Sequence, residues 1–354
     1  MKICVYAISK NEEHFVKRFY ESSKDADVIV LADTGSTDNT VSVAQECGMD
    51  VYNISIQPWR FDDARNAALA LVPADVDVCV SLDLDEELQP GWREEIERVW
   101  KLGVTNRLRY KFDWGQGIAF YYEKIHARKG FRWENMCHEA VFKDVRTEEV
   151  WAVTDMLLVI HKPDPSKSRG QYMDLLEADV KDNPLNARNA FYYARELWFN
   201  RRYNDAIEAV ERYLALPDAT WHNERCYARR VQGQCYDSLN QHALALKTFR
   251  LACNEAPGTR EPWVELAESC YKKALWRECL FAATTALDIV NKEAVYTMDP
   301  SVWGYKPYDL AAIAAWNLGY KDEAVNYGQQ ALDLAPDNSR LAKNLLFYTG
   351  EKTV

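Results

Sequence analysis

The chain has 354 residues, of which 48% are hydrophobic, and its formal net charge is −11. This length allows two domains with separate hydrophobic cores. The acidic balance argues against a broad basic surface for nucleic acid, and no apolar run approaches the ~20 residues of a membrane-spanning helix.

The first half of the chain alternates short apolar runs with amphipathic stretches. The N-terminal run is too short for the apolar core of a signal peptide and predicts a first strand instead. This strand–helix alternation indicates βαβ units and a Rossmann-like, mainly parallel sheet. The predicted strands are Ile3–Ile8, Val28–Ala32, Val51–Ile54 and Val76–Leu82, and the predicted helices are Glu12–Ser23, Thr37–Cys47 and Phe61–Leu71. Ser36 or Thr37 is the expected N-cap of the second helix.

Polar residues follow several of these strands at the point where the strand ends. Ligands of parallel α/β sheets bind beyond the carboxyl ends of the strands, so this placement predicts a binding site at that edge. The residues concerned are Ser9 and Asn11 after the first strand, Asp33, Gly35 and Ser36 after the second, and Asp83 and Asp85 after the fourth.

The fourth strand leads into the acidic sequence Leu82–Leu88. Asp83 and Asp85 are two residues apart, and in an extended segment such side chains point to the same side. Both carboxylates are therefore expected to face one ion, and oxygen ligands suit Mg²⁺ or Mn²⁺. A solvated acidic loop is the alternative interpretation of an isolated Asp-x-Asp.

From residue 182 onward the strand signal ends and pairs of helices follow. A basic period of 34 residues with two insertions resembles the tetratricopeptide repeat, in which small residues let the helices of a unit approach closely. The longer insertion, residues 291–304, is either a packed loop or a rim that contacts a partner. Four residues begin a similar register, at intervals of 39, 34 and 45 residues: Ala194, Gly233, Ala267 and Ala312.

Four motifs of the first half occur in a characteristic order: Asn11–Glu13, Asp33–Thr40, Phe61–Asn66 and Leu82–Glu87. With these motifs, residues 1–165 resemble a family 2 inverting glycosyltransferase with the α/β GT-A fold. Residues 166–354 then resemble the all-α tetratricopeptide-repeat domain of one branch of that family, which includes peptide and lipopolysaccharide-core glycosyltransferases. The resemblance implies a nucleotide-sugar donor, most often UDP-linked, and Mn²⁺ or Mg²⁺ as cofactor.

The same resemblance implies which residues contact the donor. Asp33 would accept a hydrogen bond from the base or ribose, and Gly35 would let the chain turn beside the nucleotide. Arg65 would contact the base or diphosphate, since Arg suits bidentate phosphate contacts; a salt bridge to Asp62 or Asp63 is the alternative. The residues expected to bind the donor are Ser9, Asn11, Asp33, Gly35, Ser36, Arg65, Asn66 and Asp83.

The segment Phe131–Glu139 resembles the Trp…His-Glu segment of this branch. Inversion requires a base that takes the acceptor proton. Glu139 is the candidate base, and His138 is expected to orient the site or bind the acceptor. The alternative for Glu139 is a carboxylate at the start of a helix, and the lesser candidates for the base are Asp113 and Glu134.

His161 ends the last predicted strand, where a histidine often completes the metal site of GT-A enzymes. With Asp83 and Asp85 it would hold the ion that neutralises the diphosphate leaving group, which gives Asp85 a catalytic role. Capping of a domain junction is the alternative for His161. Lys162 and Pro163 stand in place of the aromatic–glycine pair that the family often shows after this histidine, and Lys162 is a further candidate for contact with the diphosphate.

Residues 107–132 form a basic, aromatic segment where GT-A enzymes bind acceptors. A peptide, a glycan or a modified nucleobase is compatible with it, and so is simple packing of a strand face. We expect a hexosyltransferase that acts on a hydroxyl or thiol. The alternatives are a non-catalytic peptide-binding repeat scaffold with a degenerate transferase domain, and a nucleotidyltransferase, although Ser9–Glu13 lacks the Gly-rich loop that the latter favours.

Nine cysteines are scattered along the chain without a Cys-x-x-Cys pair. An odd number of dispersed thiols is typical of reduced side chains rather than of a disulfide framework or a zinc site. We therefore expect a cytoplasmic protein. A homodimer formed through the repeats is one option for its assembly.

Overall fold

The computed structural model describes residues 1–164 and 170–350. The chain divides into two compact units, Met1–Lys181 (unit 1) and Asp182–Val354 (unit 2). The predicted domain boundary between residues 165 and 166 lies outside the described residues. In unit 1, the Asp179 carboxylate accepts a hydrogen bond from the backbone N–H of Met136 (2.8 Å), which ties the last helix of this unit to the rest of it.

Unit 1 contains an eight-stranded sheet and a separate two-stranded ribbon. The strands are β1 (Ile3–Ser9), β2 (Val28–Asp33), β3 (Asp50–Asn53), β4 (Val78–Ser81), β5 (Glu86–Leu88), β6 (Arg107–Gly115), β7 (Ile118–Ala127), β8 (Phe131–Glu134), β9 (Ala140–Lys143) and β10 (Trp151–His161). The order in the large sheet is β3-β2-β1-β4-β7-β6-β10-β5. The first four strands pair in parallel, as the βαβ pattern predicts, and β10 is parallel to β6. β7 and β5 add antiparallel pairings, so the sheet is mainly but not wholly parallel.

Five helices accompany these strands: α1 (Glu13–Ser23), α2 (Thr40–Glu46), α3 (Phe61–Leu71), α4 (Trp92–Val99) and α5 (Tyr172–Asp182). The predicted elements are confirmed to within a few residues, with one exception. Helix α2 begins at Thr40, so the expected N-cap at Ser36 or Thr37 is wrong. Its first backbone N–H donates instead to the Asp38 carboxylate (3.0 Å), because the preceding residues form a loop anchored elsewhere.

The central strands are covered on both faces, as expected for parallel strands. Successive side chains of a strand point to opposite faces. Accordingly, Val5 packs in one core with Phe19 of α1, whereas Tyr6 packs in the other core with Ala68 of α3. Burial on both faces fixes the register of β1, and this register places Ser9 beside Asp33 at the carboxyl edge of the sheet.

Unit 2 is all-helical in its described residues. Its helices are α6 (Ala187–Phe199), α7 (Tyr203–Leu214), α8 (His222–Ser238), α9 (His242–Glu255), α10 (Arg260–Lys272), α11 (Trp276–Asp288), α12 (Lys306–Asn317), α13 (Lys321–Leu334) and α14 (Ser339–Thr349). They form four successive pairs and a terminal helix, which is the tetratricopeptide arrangement. A Cβ at Gly233 of α8 would lie 2.7 Å from the Phe249 ring of α9, so the absent side chain is what lets these helices approach.

The insertion at residues 291–304 is a packed segment, as one of its two interpretations predicted. Tyr296 donates a hydrogen bond to Glu224 and stacks on Tyr192, and Arg230 donates to the Thr297 carbonyl (3.3 Å). The backbone N–H of Asp299 donates to a carboxylate oxygen of α10 (3.0 Å). The insertion therefore lies against the first helices of three successive pairs, α6, α8 and α10.

Within residues 1–164 and 170–350, no helix combines the length and the apolar character needed to cross a membrane.

Candidate active site

The loop after β2 is organised by Asp33, whose side chain is buried. One carboxylate oxygen accepts hydrogen bonds from the backbone N–H groups of Gly35 (3.0 Å) and Ser36 (2.8 Å). The other accepts from the hydroxyls of Ser9 (3.0 Å) and Ser36 (2.5 Å). Gly35 has φ +104°, a conformation that favours glycine. Protein donors thus occupy both oxygens of Asp33, and this residue holds the loop in shape.

Asn11 fastens the same loop from the end of β1. The Asn11 side-chain oxygen accepts a hydrogen bond from the backbone N–H of Thr37 (2.7 Å), and the backbone N–H of Asn11 donates to the Ser36 hydroxyl (2.8 Å). Asn11 has φ +55°, in the left-handed region that asparagine tolerates better than most residues. Ser9, Asn11, Asp33 and Ser36 are therefore brought together, as predicted, in a network that shapes the edge of the sheet.

Arg65 of α3 is the centre of a buried cluster of charged side chains. Its Nη2 donates to the Asp83 carboxylate (2.6 Å) and its Nε to the Glu139 carboxylate (2.5 Å). The attraction of these two carboxylates outweighs burial and holds the pKa of Arg65 well above its ordinary value. Its third nitrogen, Nη1, is buried and has no hydrogen-bond partner among the described residues. That nitrogen is therefore available as a donor for an additional oxygen.

The alternative pairing of Arg65 with Asp62 or Asp63 is wrong. Both of those carboxylates pair with Arg60, at 2.8 Å and 3.5 Å. The physical reason is the direction of α3: residue 65 lies on the helix face that meets the sheet, whereas Arg60 lies at the helix start beside the acidic first turn.

Three buried side chains linked by hydrogen bonds, Trp133, Tyr6 and His126, connect Arg65 to the core of unit 1. The guanidinium lies 4.8 Å from the ring centroid of Trp133, in cation–π geometry. Trp133 donates its indole N–H to the Tyr6 hydroxyl (2.8 Å), which lies 2.9 Å from His126 Nε2. His126 Nδ1 lies 2.8 Å from a backbone carbonyl, so it carries the proton and Nε2 accepts from Tyr6. Burial lowers the pKa of His126 to about 4, which keeps this imidazole neutral.

The predicted contact of Asn66 with the nucleotide-sugar donor would require its side chain to face the site, and it does not. Its side chain exchanges two hydrogen bonds with the backbone of Trp133, donating to the carbonyl (2.9 Å) and accepting from the N–H (2.8 Å). A carboxamide offers one donor group and one acceptor, which match the open edge of a strand. Asn66 therefore clamps β8 to α3 and so positions the Trp133 ring beneath Arg65.

Asp83 lies between two cations. Besides Arg65, the Nζ of Lys124 on β7 contacts its carboxylate (3.2 Å) and also both oxygens of Glu86 (2.7 and 2.9 Å). Burial would raise the pKa of Asp83, but the attraction of Arg65 and Lys124 holds it well below its usual range. Burial raises the pKa of Glu86, to about 7, against the attraction of Lys124.

The expectation that Asp83 and Asp85 face one ion together is not met by this geometry. The Glu86 N–H donates to the Asp83 carbonyl (3.0 Å), which closes a turn, so the chain is not extended between the two aspartates. Asp83 contacts Arg65 and Lys124, whereas Asp85 contacts His161. The described residues contain no cluster of three or more histidine, cysteine or carboxylate side chains that could hold a metal ion.

Asp85 and His161 form the pair that suits a divalent ion best. Asp85 Oδ2 lies 3.5 Å from His161 Nε2, and both side chains are largely buried. His161 Nδ1 is buried without a hydrogen-bond partner in the described part of the chain. The His161 ring packs against the Trp114 ring, and the two centroids are 4.4 Å apart. One carboxylate and one imidazole fit Mn²⁺ or Mg²⁺ with further positions left for oxygens of a substrate.

Glu139 lies directly before β9, so the alternative of a carboxylate at a helix start is wrong. The side chain is largely buried and reaches Arg65. His138 has φ +53°, and its ring lies 5.6 Å from that of Tyr172 in edge geometry. Glu139 therefore reaches the site from the segment between β8 and β9, and Arg65 joins this segment to the acidic turn.

The lesser candidates have other partners. Asp113 accepts from the backbone N–H of Gly115 (2.8 Å) in the β6–β7 turn, and Glu134 pairs with Arg132 (2.7 Å). Lys162 contacts Glu87 (2.7 Å), while its backbone N–H donates to the Asp85 carbonyl (2.7 Å). That backbone bond helps to hold the acidic turn against the end of β10.

Two members of the cluster, Lys124 and Glu86, are not among the site residues that the sequence predicts. Lys124 lies in the basic, aromatic segment 107–132, and nothing in its sequence neighbours distinguishes it from the other cations there. A signal was present in the acidic turn: three leucines are interspersed with four carboxylates between Leu82 and Leu88, so some of these carboxylates are expected to be buried with the leucines. A buried carboxylate requires a buried cation, and β7 supplies it.

Two family models match this chain. Residues 4–115 match the model described as glycosyl transferase family 2, and residues 305–338 match a tetratricopeptide repeat. The first match spans β1 to the end of β6 and includes Arg65, Asp83 and Asp85. The second covers the helix pair α12–α13.

Similar proteins include two uncharacterized glycosyltransferases from Rickettsia. The Rickettsia conorii protein is 34% identical over 101 residues, 28% of this chain and 34% of its own length. The Rickettsia bellii protein is 32% identical over 110 residues, 31% of this chain and 35% of its own length. This chain thus spans about a third of the length of these relatives.

The solved structures with some similarity to this chain include MamA and YrrB. MamA is 17% identical, with a TM-score of 0.39 and coverage of 48% of this chain and 89% of its own. YrrB, described as a tetratricopeptide-repeat protein with an unusual peptide-binding site, is 14% identical, with a TM-score of 0.41 and coverage of 49% and 82%.

Proposed function

We propose that this chain, whose residues 4–115 match the glycosyl transferase family 2 model and whose residues 305–338 match a tetratricopeptide repeat, transfers a sugar from a nucleotide donor to an acceptor hydroxyl or thiol. The observation that supports this most directly is the Arg65 cluster. One buried guanidinium joins Asp83 of the acidic turn to Glu139, beside the Asp85–His161 pair. Cation, carboxylates and imidazole at one sheet edge suit diphosphate departure combined with proton removal.

The proposed donor is a UDP-linked hexose, with Mn²⁺ or Mg²⁺ held by Asp85 and His161. The ion would supply charge neutralisation for the diphosphate leaving group. Arg65 Nη1, which is buried without a partner among the described residues, would donate to an oxygen of the donor. Asp83 would act by orienting Arg65 rather than as a metal ligand.

Glu139 is the proposed base. In an inverting transfer the base removes the acceptor proton as the acceptor attacks from the face opposite the diphosphate. Its ion pair with Arg65 fixes the carboxylate at one position. His138, adjacent in the chain and in a constrained backbone conformation, would contact the acceptor.

The acceptor is proposed as a peptide, glycan or modified nucleobase that meets the aromatic side chains of β6 and β7. Trp114 and Tyr121 are both exposed there and offer ring faces to a sugar or base. The nine cysteines are free thiols, which suits the proposed cytoplasmic location. The alternative of a peptide-binding scaffold is disfavoured, because residues 291–304 cover the face formed by α6, α8 and α10.

A thermal-shift screen of nucleotide sugars tests this proposal. A UDP-hexose should raise the melting temperature with Mn²⁺ but not with excess chelator, since a ligand at 100 times its Kd stabilises by about 2.7 kcal/mol. His161→Ala should abolish the ion-dependent part of the shift. The matched control is His222→Ala, at an exposed position of unit 2. Equal stabilisation with chelator would contradict the ion-bridged donor, and no response to any nucleotide sugar would contradict the proposed function.

A further inference from the structure

Lys124 is a buried cation that the proposed reaction does not use directly. It lies on β7 with 4% of its surface exposed, and its ammonium contacts Glu86 and Asp83. Burying an ammonium is costly unless it is paired and hydrogen-bonded. Tyr110 and Phe112 on the neighbouring strand are buried aromatic side chains, so the charge of Lys124 is balanced by the carboxylates of the acidic turn. Lys124 is therefore tied to the acidic turn as well as to the core of unit 1.

The charges of the cluster are arranged around Asp83. Arg65 has Glu139 as its second carboxylate, Lys124 has Glu86, and the two cations share Asp83. The Asp83 carboxylate is thus held from two sides by side chains of different elements, α3 and β7. Loss of either cation leaves Asp83 with a single partner and more rotamers.

Glu86 connects the same lysine to the backbone of the acidic turn. Its carboxylate accepts from the backbone N–H of Asp83 (3.0 Å), while its own N–H donates to the Asp83 carbonyl (3.0 Å). Lys124 is bound to both oxygens of that carboxylate. It therefore restrains the side chain of Asp83 directly and the backbone from Asp83 to Glu86 through one intermediate. Asp85, the proposed metal ligand, lies inside this restrained stretch.

We infer that Lys124 is a positioning residue for the donor site: it fixes the turn 83–86 so that Asp85 faces His161 and Asp83 orients Arg65. The inference rests on the proposed function for its link to the donor, but its structural part stands without it. A purely structural role, in which Lys124 only neutralises Glu86, makes a different prediction.

The two roles are separated by removing the Lys124–Glu86 pair together. Lys124→Met alone would leave a buried carboxylate unpaired and risks unfolding. The double variant K124M/E86Q is charge-balanced, and the amide that replaces the Glu86 carboxylate keeps an oxygen that can accept from the Asp83 N–H. We expect a melting temperature close to the wild type, faster hydrogen–deuterium exchange of the peptide containing residues 82–88, and UDP-sugar affinity weaker by a factor on the order of ten, as for coupled neighbours.

The matched control is R230M/E265Q, which removes a buried ion pair of similar length in unit 2 (2.7 Å). It should leave exchange of residues 82–88 and UDP-sugar affinity unchanged. As a second route, Asp83→Asn breaks the shared contact at a side chain that is 37% exposed and so tolerates change. Its effect on affinity should be at least as large as that of K124M/E86Q, because it weakens the contact with Arg65 as well as that with Lys124. Adding K124M/E86Q to Asp83→Asn should change affinity little further, since the contact between Lys124 and Asp83 is already weakened.

The outcomes distinguish this inference from the proposed function. Wild-type exchange and wild-type affinity in K124M/E86Q would overturn the positioning role and leave the transferase proposal intact. Faster exchange at residues 82–88, in a protein whose wild type binds no nucleotide sugar, would support the positioning role and contradict the proposed function. If K124M/E86Q does not fold, the coupling of Asp83→Asn with Lys124→Arg, which keeps the buried charge, decides. Independent effects of these two substitutions on exchange and affinity would overturn the restraint of Asp83 by Lys124.

Discussion

The interiors of the two units differ in the size and charge of the side chains that they bury. Unit 1 buries large aliphatic and aromatic side chains and, at the carboxyl edge of its sheet, the titratable side chains of the Arg65–Lys124 cluster. Unit 2 packs its helices through alanines and cysteines, for example Ala282, Ala283 and Ala286 of α11. Its buried ion pair between Arg230 and Glu265 joins α8 to α10 and is also contacted by the insertion.

The difference follows from the polar groups that each architecture leaves without hydrogen-bond partners. Parallel strands end together and present backbone and side-chain polar groups at one edge, where a ligand can complete them. Helix pairs satisfy their backbone internally, so their interfaces need only close fit. We therefore expect substitutions in the edge cluster to affect ligand binding and reaction more than stability, and substitutions between repeat helices to affect stability alone.

The largest expected effect is that of Asp85→Ala. Loss of the proposed metal ligand should reduce transfer by on the order of 10³-fold, several kcal/mol of transition-state stabilisation. The free energy of unfolding should fall by only about 1–3 kcal/mol, because the buried Asp85 side chain loses a single contact, with His161. Steady-state transfer and urea titration measure the two quantities. Asp75→Ala, at an exposed ion pair with Lys2, is the control; full activity of Asp85→Ala would contradict the site.

Acid should destabilise unit 1 through His126. Its pKa falls from 6.5 to about 4 on folding, so between these values the unfolded state binds more protons and stability decreases as pH falls. The contribution is fully present above pH 6.5, and about 3 kcal/mol of it is lost by pH 4. Urea titrations from pH 7 to pH 4 should show a smaller slope for His126→Gln than for wild type. The same slope in both, with exposed His222→Gln as reference, would contradict this origin.

Glu139→Gln should retain donor affinity and lose transfer by a factor on the order of 10², as expected for a missing general base. The amide can still accept a hydrogen bond from Arg65, so the cluster keeps its shape. Single-turnover transfer at saturating donor, beside calorimetric donor binding, separates the two quantities. Glu134→Gln, at an exposed ion pair with Arg132, is the control. A variant that loses donor affinity would instead place Glu139 among the nucleotide contacts.

The smallest expected effect is that of Gly233→Ala in unit 2. This variant tests whether a substitution between repeat helices changes stability alone. The new Cβ would lie 2.7 Å from the buried Phe249 ring, and such overpacking costs about 1–3 kcal/mol, which the better helix propensity of alanine partly offsets. Donor affinity should not change. Gly258→Ala, where a Cβ has no neighbour within 4 Å, is the matched control. Equal stability of the two variants would show that α8 and α9 can separate without cost.

Local patterns in the sequence determined the elements and the edge at which the site lies. Periodicity predicted β1, α3 and the helix pairs, and strand ends predicted that Ser9, Asp33 and the acidic turn would meet, because both signals depend on neighbours along the chain. Glu139 and His161 came from resemblance to a family, and the structure places them beside Arg65 and Asp85.

Only the tertiary structure decided which charges pair. β7 enters the sheet between β4 and β6, and this order brings Lys124 to Asp83 and Glu86 across about 40 residues of chain. The turn at residues 83–86 separates two aspartates that an extended chain would have aligned, and Asn66 is turned to a strand edge rather than to the site. These outcomes depend on long-range strand order and on the need to pair every buried charge, and neither is encoded in the spacing of adjacent residues.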